Sequence, residues 1–264
     1  MKHYKGAVFF DVDGTLVDER KKIYTPTLKT AAAIMKIKEN GYLVGIATGR
    51  ARCYIPETGI DFDCYVTCNG AVAEVEGKEI FNDYIALPQL QELVDYMKKE
   101  KIGFELEGSQ RCYYQPEAVE DFMELMEHFH ITADCFSPLQ SLTQLKTNKI
   151  LITFHQMEQF ENMRTRFGED YAIIQHHRNL SADVGKKNIS KATGIQAVID
   201  YLGLDIRDTY AFGDDGNDFE MLQTVGHGVA MTPHAPRLDE VADSITGGVE
   251  EDGVYCGLKN LGLI

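Results

Sequence analysis

A strand-helix-strand order begins at residue 7, breaks off near residue 83 and returns after residue 185, and this interruption limits the possible folds most. Ala7–Phe10 is a short continuous apolar run ending in polar residues, the pattern of a strand buried on both faces of a parallel sheet. Thr25-Pro26 reads as an N-cap followed by proline at the first helical position. Leu28, Ala31, Ala32, Met35 and Ile37 then give a helical stripe that Gly41 closes. Tyr42–Ala47 and Cys64–Thr67 are the next strands, with a turn at Asn69-Gly70. This order calls for a parallel sheet with right-handed crossovers.

The middle of the chain follows another pattern. Pro88 starts a helix with Leu90, Leu93, Val94 and Met97 on one face, and residues 102–106 and 111–115 read as a hairpin around Gly108-Ser109. Pro116 starts a helix whose stripe is Phe122, Leu125, Met126 and Phe129, which reads as core. A strand at 149–154, a helix at 157–167 and strands at 171–175 and 179–184 complete the block. After Ile189 come a helix at 190–202, a strand at 209–212, a helix at 216–223 and a strand at 228–231. The expected architecture is α/β: a Rossmann-like parallel-sheet core, residues 1–82 and 186–264, with an inserted α+β domain at 83–185. Internal repeats are not evident.

Charge narrows the partners. The 264 residues carry 41 acids against 26 lysines and arginines, a formal net charge of -15. Phosphate-backbone and membrane-surface binding need clustered cations, so no nucleic acid and no membrane partner is expected. The longest apolar runs are too short to span a bilayer, and Asp11 and Asp13 interrupt the first one. The expected location is cytoplasmic, as a monomer or homodimer. The six cysteines, at 53, 64, 68, 112, 135 and 256, lack paired Cys-x-x-Cys spacing and read as reduced thiols.

Chemistry concentrates where strands end. Asp11-Val12-Asp13-Gly14-Thr15 follows the first strand directly. Alternate residues of a strand point the same way, so Asp11 and Asp13 can aim at one point. In open α/β sheets that point is the crevice at the carboxyl ends of the strands. A second acidic cluster, Gly213-Asp214-Asp215-Gly216-Asn217-Asp218, follows the strand at 209–212. Acids gathered at two strand ends repel unless a cation sits among them, and hard oxygen donors favour magnesium. Thr48-Gly49 ends another strand and offers a hydroxyl plus free backbone N–H groups to a phosphate. Lys191, near a helix start, can neutralise a phosphoryl group, with Lys186 and Lys187 as rivals read as solvated loop charges.

Together, Asp11-Val12-Asp13-Gly14-Thr15, Ala47-Thr48-Gly49-Arg50, Lys191 and Gly213-Asp214-Asp215-Gly216-Asn217-Asp218 resemble, in order, the four motifs of the haloacid dehalogenase superfamily. Thr67-Cys68-Asn69-Gly70-Ala71, Gly228-Val229-Ala230-Met231 and Glu251-Asp252-Gly253-Val254 look like its Cof-type sugar-phosphate phosphatase branch, whose cap is of the C2B type. The resemblance covers essentially the whole chain, although the cap matches only in length and element pattern.

The resemblance implies a phosphotransferase that works through a covalent aspartyl phosphate. Asp11 would be the nucleophile and Asp13 the general acid and base. Mg2+ would be held by Asp11, the Asp13 backbone carbonyl and Asp214, with Asp218 supporting the metal shell or orienting Lys191. Thr48, Gly49, Lys191 and Asn217 would hold phosphoryl oxygens, with Asn69 near the phosphate or the cap boundary. Asp215 takes no catalytic role. The substrate would be a small phosphorylated metabolite, a sugar phosphate first. A phosphomutase, a phosphatase of pyridoxal phosphate or a flavin nucleotide, and a non-hydrolytic phospho-ligand sensor stand as alternatives. Substrate selection would fall to the cap, where Arg111, Tyr113, Tyr114, His176, His177 and Arg178 are either leaving-group contacts or an exposed sheet face.

Overall fold

A computed structural model describes residues 3–128, 131, 133–176 and 180–264. The first stretch runs β1 (Ala7–Phe10), α1 (Leu28–Glu39), β2 (Leu43–Ala47), β3 (Cys64–Thr67), β4 (Val72–Val75) and β5 (Lys78–Asn82). The middle stretch runs α2 (Leu87–Lys99), β6 (Gly103–Glu107), β7 (Cys112–Tyr114), α3 (Val119–His128), β8 (Phe136–Pro138), β9 (Lys149–Thr153), α4 (Met157–Phe167), β10 (Tyr171–Gln175) and β11 (Ser181–Lys186). The last holds α5 (Lys191–Leu202), β12 (Thr209–Gly213), α6 (Phe219–Thr224), β13 (His227–Ala230), β14 (Ser244–Ile245) and α7 (Gly253–Asn260). The chain divides into two compact units, residues 1–49, 55–81 and 190–264 in one, and residues 50–54 and 82–189 in the other.

The first unit is built on an eight-stranded sheet in the order β14-β13-β12-β1-β2-β3-β4-β5. Strands from β14 to β3 are mutually parallel, and β4 turns back antiparallel on β3. Every residue of β1 is fully buried, as its unbroken apolar run demands. Its side chains alternate between two cores. Ala7 and Phe9 pack with Ile195, Val198 and Ile199 of α5 and Met221 and Leu222 of α6. Val8 and Phe10 pack with Ala33, Ile34 and Ile37 of α1 and Val254 and Leu258 of α7. Helices therefore cover both faces, which an all-parallel centre requires.

One local expectation changes, and one hairpin is new. Helix α1 starts at Leu28 rather than after Thr25, because the Thr27 hydroxyl accepts the Thr30 N–H at 3.2 Å. Its buried face is Thr30, Ala33, Ile34 and Ile37, whereas Leu28 is 91% exposed and Met35 is also exposed. Three consecutive alanines suit either face, so the pair Ile34 and Ile37 sets the phase. The β4–β5 hairpin is an addition. Its turn, Glu76-Gly77, has positive φ at both residues (49° and 76°), the backbone of a type I′ turn made with Glu where Asn or Asp is usual.

The second unit is a six-stranded sheet in the order β10-β11-β9-β6-β7-β8, antiparallel except for the β7–β8 pair. Leu90, Leu93, Val94 and Met97 of α2 are buried as expected, against Phe104, Leu106, Ile150, Ile152, Ala182 and Val184 of the sheet. Phe122 and Met126 are buried too, and Phe129 lies outside the described residues. The strand expected from Asn179 is described from Ser181, Asn179 being outside the described residues, and β8 is an addition.

Phe10 and Phe212 sit side by side on β1 and β12 with ring centroids 5.4 Å apart, both fully buried. Phe212→Ala is expected to cost about 3–5 kcal/mol through the cavity it leaves, read as a lowered urea midpoint by far-UV circular dichroism.

Candidate active site

The sheet order reverses between β1 and β12. From β1 the chain builds outward through β2 and β3, and from β12 it builds the other way through β13 and β14. A crevice opens at the carboxyl ends of strands at such a switch point. The two acidic clusters leave these two strands, with Phe10 level with Phe212 and the Asp11 N–H donating to the Phe212 carbonyl at 2.9 Å. All the residues gathered here belong to the first unit.

Asp11 is 5% exposed, and Gly14 makes the turn behind it at φ 89°. A Cβ on Gly14 would fall 2.1 Å from the Asp214 carboxylate, so glycine is required for the close approach as well as for the turn. Buried Thr15 donates its hydroxyl to Asp214 Oδ1 at 3.2 Å. Residue order alone points to the acids of the Asp11–Thr15 run, and the contact that makes Thr15 part of the site appears only in the fold.

Lys191 opens α5 and is 1% exposed. Its Nζ donates to Asp11 Oδ1 and to Asp218 Oδ1, each at 2.6 Å. The other oxygen of Asp218 accepts the backbone N–H groups of Asp214 and Asp215 at 2.8 and 3.0 Å. Asp218 thus orients the lysine and holds the loop that carries Asp214. The start of α5 is pinned by Gly70 (φ 94°), where a Cβ would fall 1.8 Å from the Ser190 carbonyl. The rivals sit in the other unit, Lys186 paired with Asp83 at 2.5 Å and Lys187 bonded to the Gly168 carbonyl at 3.0 Å.

Thr48 requires a correction. Its N–H is not free for a phosphate, because it continues the β2–β3 ladder by donating to the Val66 carbonyl at 2.9 Å. The Thr48 carbonyl in turn accepts the Asn69 N–H at 3.1 Å. That bond holds Asn69 at positive φ (54°), with its side-chain oxygen accepting from Asn217 Nδ2 at 3.0 Å. A Cβ on Gly49 would fall 3.0 Å from the same oxygen. Thr48, Gly49, Asn69 and Asn217 therefore form one polar wall. Asp13 is exposed, and its charge is close enough to raise the Asp11 carboxyl.

Three carboxylates converge on this point. Carboxylate oxygens of Asp11, Asp214 and Asp218 lie within 4.8 Å of one another. Burial is the main force pushing the Asp11 carboxyl up, to about 8, with Lys191 opposing and Asp218 and Asp13 adding. Burial likewise holds Asp214 well above the ordinary carboxylate range, reinforced by Asp11 and Asp218. Lys191 is kept charged, because Asp11 and Asp218 outweigh its own burial. One ammonium does not compensate three converging carboxylates. An all-oxygen donor set with no thiol or imidazole fits a hard divalent ion such as magnesium.

The cap candidates divide. Arg111 is exposed and bonds the Ser137 hydroxyl at 3.0 Å. Tyr113 packs against the apolar core of the second unit, and Tyr114 stacks on Phe122 with centroids 4.7 Å apart. His176 is held by Ser181 at 2.9 Å and faces Asp183 at 3.3 Å. His177 and Arg178 lie outside the described residues.

Comparison with known proteins places this arrangement among relatives. Residues 8–258 match the family model of the haloacid dehalogenase-like hydrolases. The chain is 34% identical to the protein named "Putative phosphatase YkrA" of Bacillus subtilis (strain 168), over 97% of this chain and 98% of that protein. It is 27% identical to 5-amino-6-(5-phospho-D-ribitylamino)uracil phosphatase YitU of the same organism, over 96% of each. Among solved structures, a hypothetical protein from Geobacillus kaustophilus HTA426 superposes with a TM-score of 0.85 at 31% identity, over 98% of this chain and all (100%) of that one. The subclass IIB sugar phosphatase BT4131 superposes with a TM-score of 0.82 at 25% identity, over 98% and 100%.

Lys191→Met is expected to leave Asp11 and Asp218 buried without their ammonium. Urea unfolding in chelator should register a loss of about 3–5 kcal/mol, the usual cost of breaking a buried ion pair from one side.

Proposed function

We infer the reaction from one premise: this chain belongs to the haloacid dehalogenase-like hydrolases, in the Cof-type branch, and is a phosphatase. The reading is a magnesium-dependent hydrolase of small phosphorylated metabolites, sugar phosphates first, acting through an aspartyl phosphate. The observation that carries it is the Lys191 ammonium shared between Asp11 and Asp218, beside Asp214, at the junction of β1 and β12.

In this reading Asp11 attacks phosphorus and the ester oxygen leaves in line, so one hard displacement becomes two easier ones. Lys191 holds Asp11 in place and offers positive charge to the phosphoryl group. Asp13, two residues on and exposed, protonates the leaving oxygen and later takes a proton from the hydrolytic water. The Thr48 hydroxyl, Gly49, Asn69 and Asn217 line the wall that receives the phosphoryl oxygens. Asp11, Asp214 and the Asp13 backbone would hold magnesium, with Asp218 behind them through its grip on Lys191 and the Asp214 loop. When bound, the ion supplies the charge that keeps the carboxylates ionised and offsets their repulsion of the phosphate.

The second unit supports a polar leaving group. One face of its sheet is apolar, and the other carries buried Glu105, Glu107, Lys149 and Asp183. Lys149 pairs with Glu107 at 2.8 Å and with Asp183 at 2.6 Å. We assign this unit, residues 83–185 in the main, to substrate selection. The sugar phosphatase and the ribityl-phosphate phosphatase among the relatives both carry names that specify hydroxyl-rich phosphate esters.

Inorganic phosphate release from a panel of sugar phosphates, nucleotides and pyridoxal phosphate tests the reading. Release is expected with magnesium and not with chelator, and Asp11→Asn is expected to lower kcat by at least about 10^3-fold. Near-wild-type turnover by Asp11→Asn overturns the covalent route. Phosphoryl transfer between sugar positions without free phosphate would identify a mutase instead.

A further inference from the structure

Sequence spacing gave no reason to pair any of the six cysteines, yet the fold brings two distant thiols into contact. Cys53 and Cys112, 59 residues apart, have their sulfurs 3.6 Å from each other. Both belong to the second unit, Cys53 in a single helical turn (Arg52–Tyr54) and Cys112 at the start of β7. Cys135 is close in the fold as well. It immediately precedes β8, whose first residue is paired with Cys112.

The thiols differ in access. Cys53 is half-buried, whereas Cys112 is fully buried beneath it. The segment around Cys53 is held in place, with the Tyr54 ring 5.6 Å from that of Phe136 and Arg50 donating to the Tyr54 carbonyl at 3.4 Å. An accessible thiol backed by a second one in contact is the arrangement of a reactive and a resolving cysteine. Hydrogen bonding from Cys112 pulls the Cys53 thiol down to about 7, against its burial and helped by Cys135, while Glu107 pushes the other way. A thiol that only filled core space would need no partner sulfur and no access to solvent.

We propose that Cys53 and Cys112 are a redox-active dithiol site that peroxide converts to a disulfide. The Cys53 thiolate attacks a peroxide oxygen, the O–O bond breaks, and Cys53 becomes a sulfenic acid while the departing hydroxide takes a proton to become water. The Cys112 sulfur then attacks the Cys53 sulfur. The S–O bond breaks, the S–S bond forms, and the Cys112 proton leaves with the hydroxyl as a second water. Two thiols are oxidised by two electrons, and one peroxide is reduced to two waters.

Hydrogen peroxide treatment of the full chain, followed by alkylation and peptide mapping without reductant, tests this. The expected result is a peptide pair linked through Cys53 and Cys112, lost on adding dithiothreitol and retained in Cys135→Ser. In Cys112→Ser, Cys53 is expected to stop at the sulfenic acid, trapped by dimedone. Recovery of Cys53 in wild type as a free thiol, as a sulfinic acid, or linked to Cys135 overturns the proposal. The readout is chemical and does not depend on turnover, so it stands or falls separately from the phosphatase assignment.

Discussion

The ammonium of Lys191 lies between two buried carboxylates, and the first unit is organised around that placement. A lysine at 1% exposure is tolerable only when its charge is met, and Asp11 and Asp218 meet it at 2.6 Å each. To deliver those partners, β1 must end beside β12, and α5 must begin above that junction. The short turn carrying Asp218 must also fold back over the Asp214 loop. Gly14 and Gly70 serve the same end, since a side chain on either would strike Asp214 or the first turn of α5.

That arrangement leaves a charge imbalance that suits phosphoryl chemistry. Asp11, Asp214 and Asp218 converge on a small volume with one ammonium among them. Burial raises Asp11 and Asp214 toward neutrality, and a neutral carboxyl is a poor nucleophile and a poor ligand. A hard cation placed among these oxygens would favour their ionised forms. The protein's net charge of -15 makes the same point at the scale of the chain, since an anionic substrate needs local positive charge.

The second unit solves a different problem. Its sheet hides one apolar face under α2 and α4 and gives the other face to charge, which strand alternation makes possible. Phe104 and Leu106 point one way and Glu105 and Glu107 the other. Neighbouring strands then decide which charges meet, so that Lys149 lands level with Glu107 across the β6–β9 ladder. The same cross-strand pairing sets Cys112 beside the segment that holds Cys135.

Much of this was legible in residue order. The apolar run of β1, the helix face of Leu90, Leu93, Val94 and Met97, and the acids that follow β1 and β12 are local patterns, and local patterns survive in one dimension. The phase of α1 is not legible in this way, because three alanines suit either face and only packing chooses between them. The Thr48 amide looks free in one dimension, because its ladder hydrogen bond to Val66 depends on a strand sixteen or more residues away in the chain. The sequence by itself determined which groups this protein has for chemistry: carboxylates, one lysine, amides and a hydroxyl, each at the end of a strand or the start of a helix. Only the tertiary structure decided which of them touch. Lys191 rather than Lys186 meets Asp11, Asp218 bonds both Lys191 and the Asp214 loop, and Cys53 finds Cys112. Contacts at separations of 27 to 180 residues follow from how strands order and pair in space, and no local pattern encodes that.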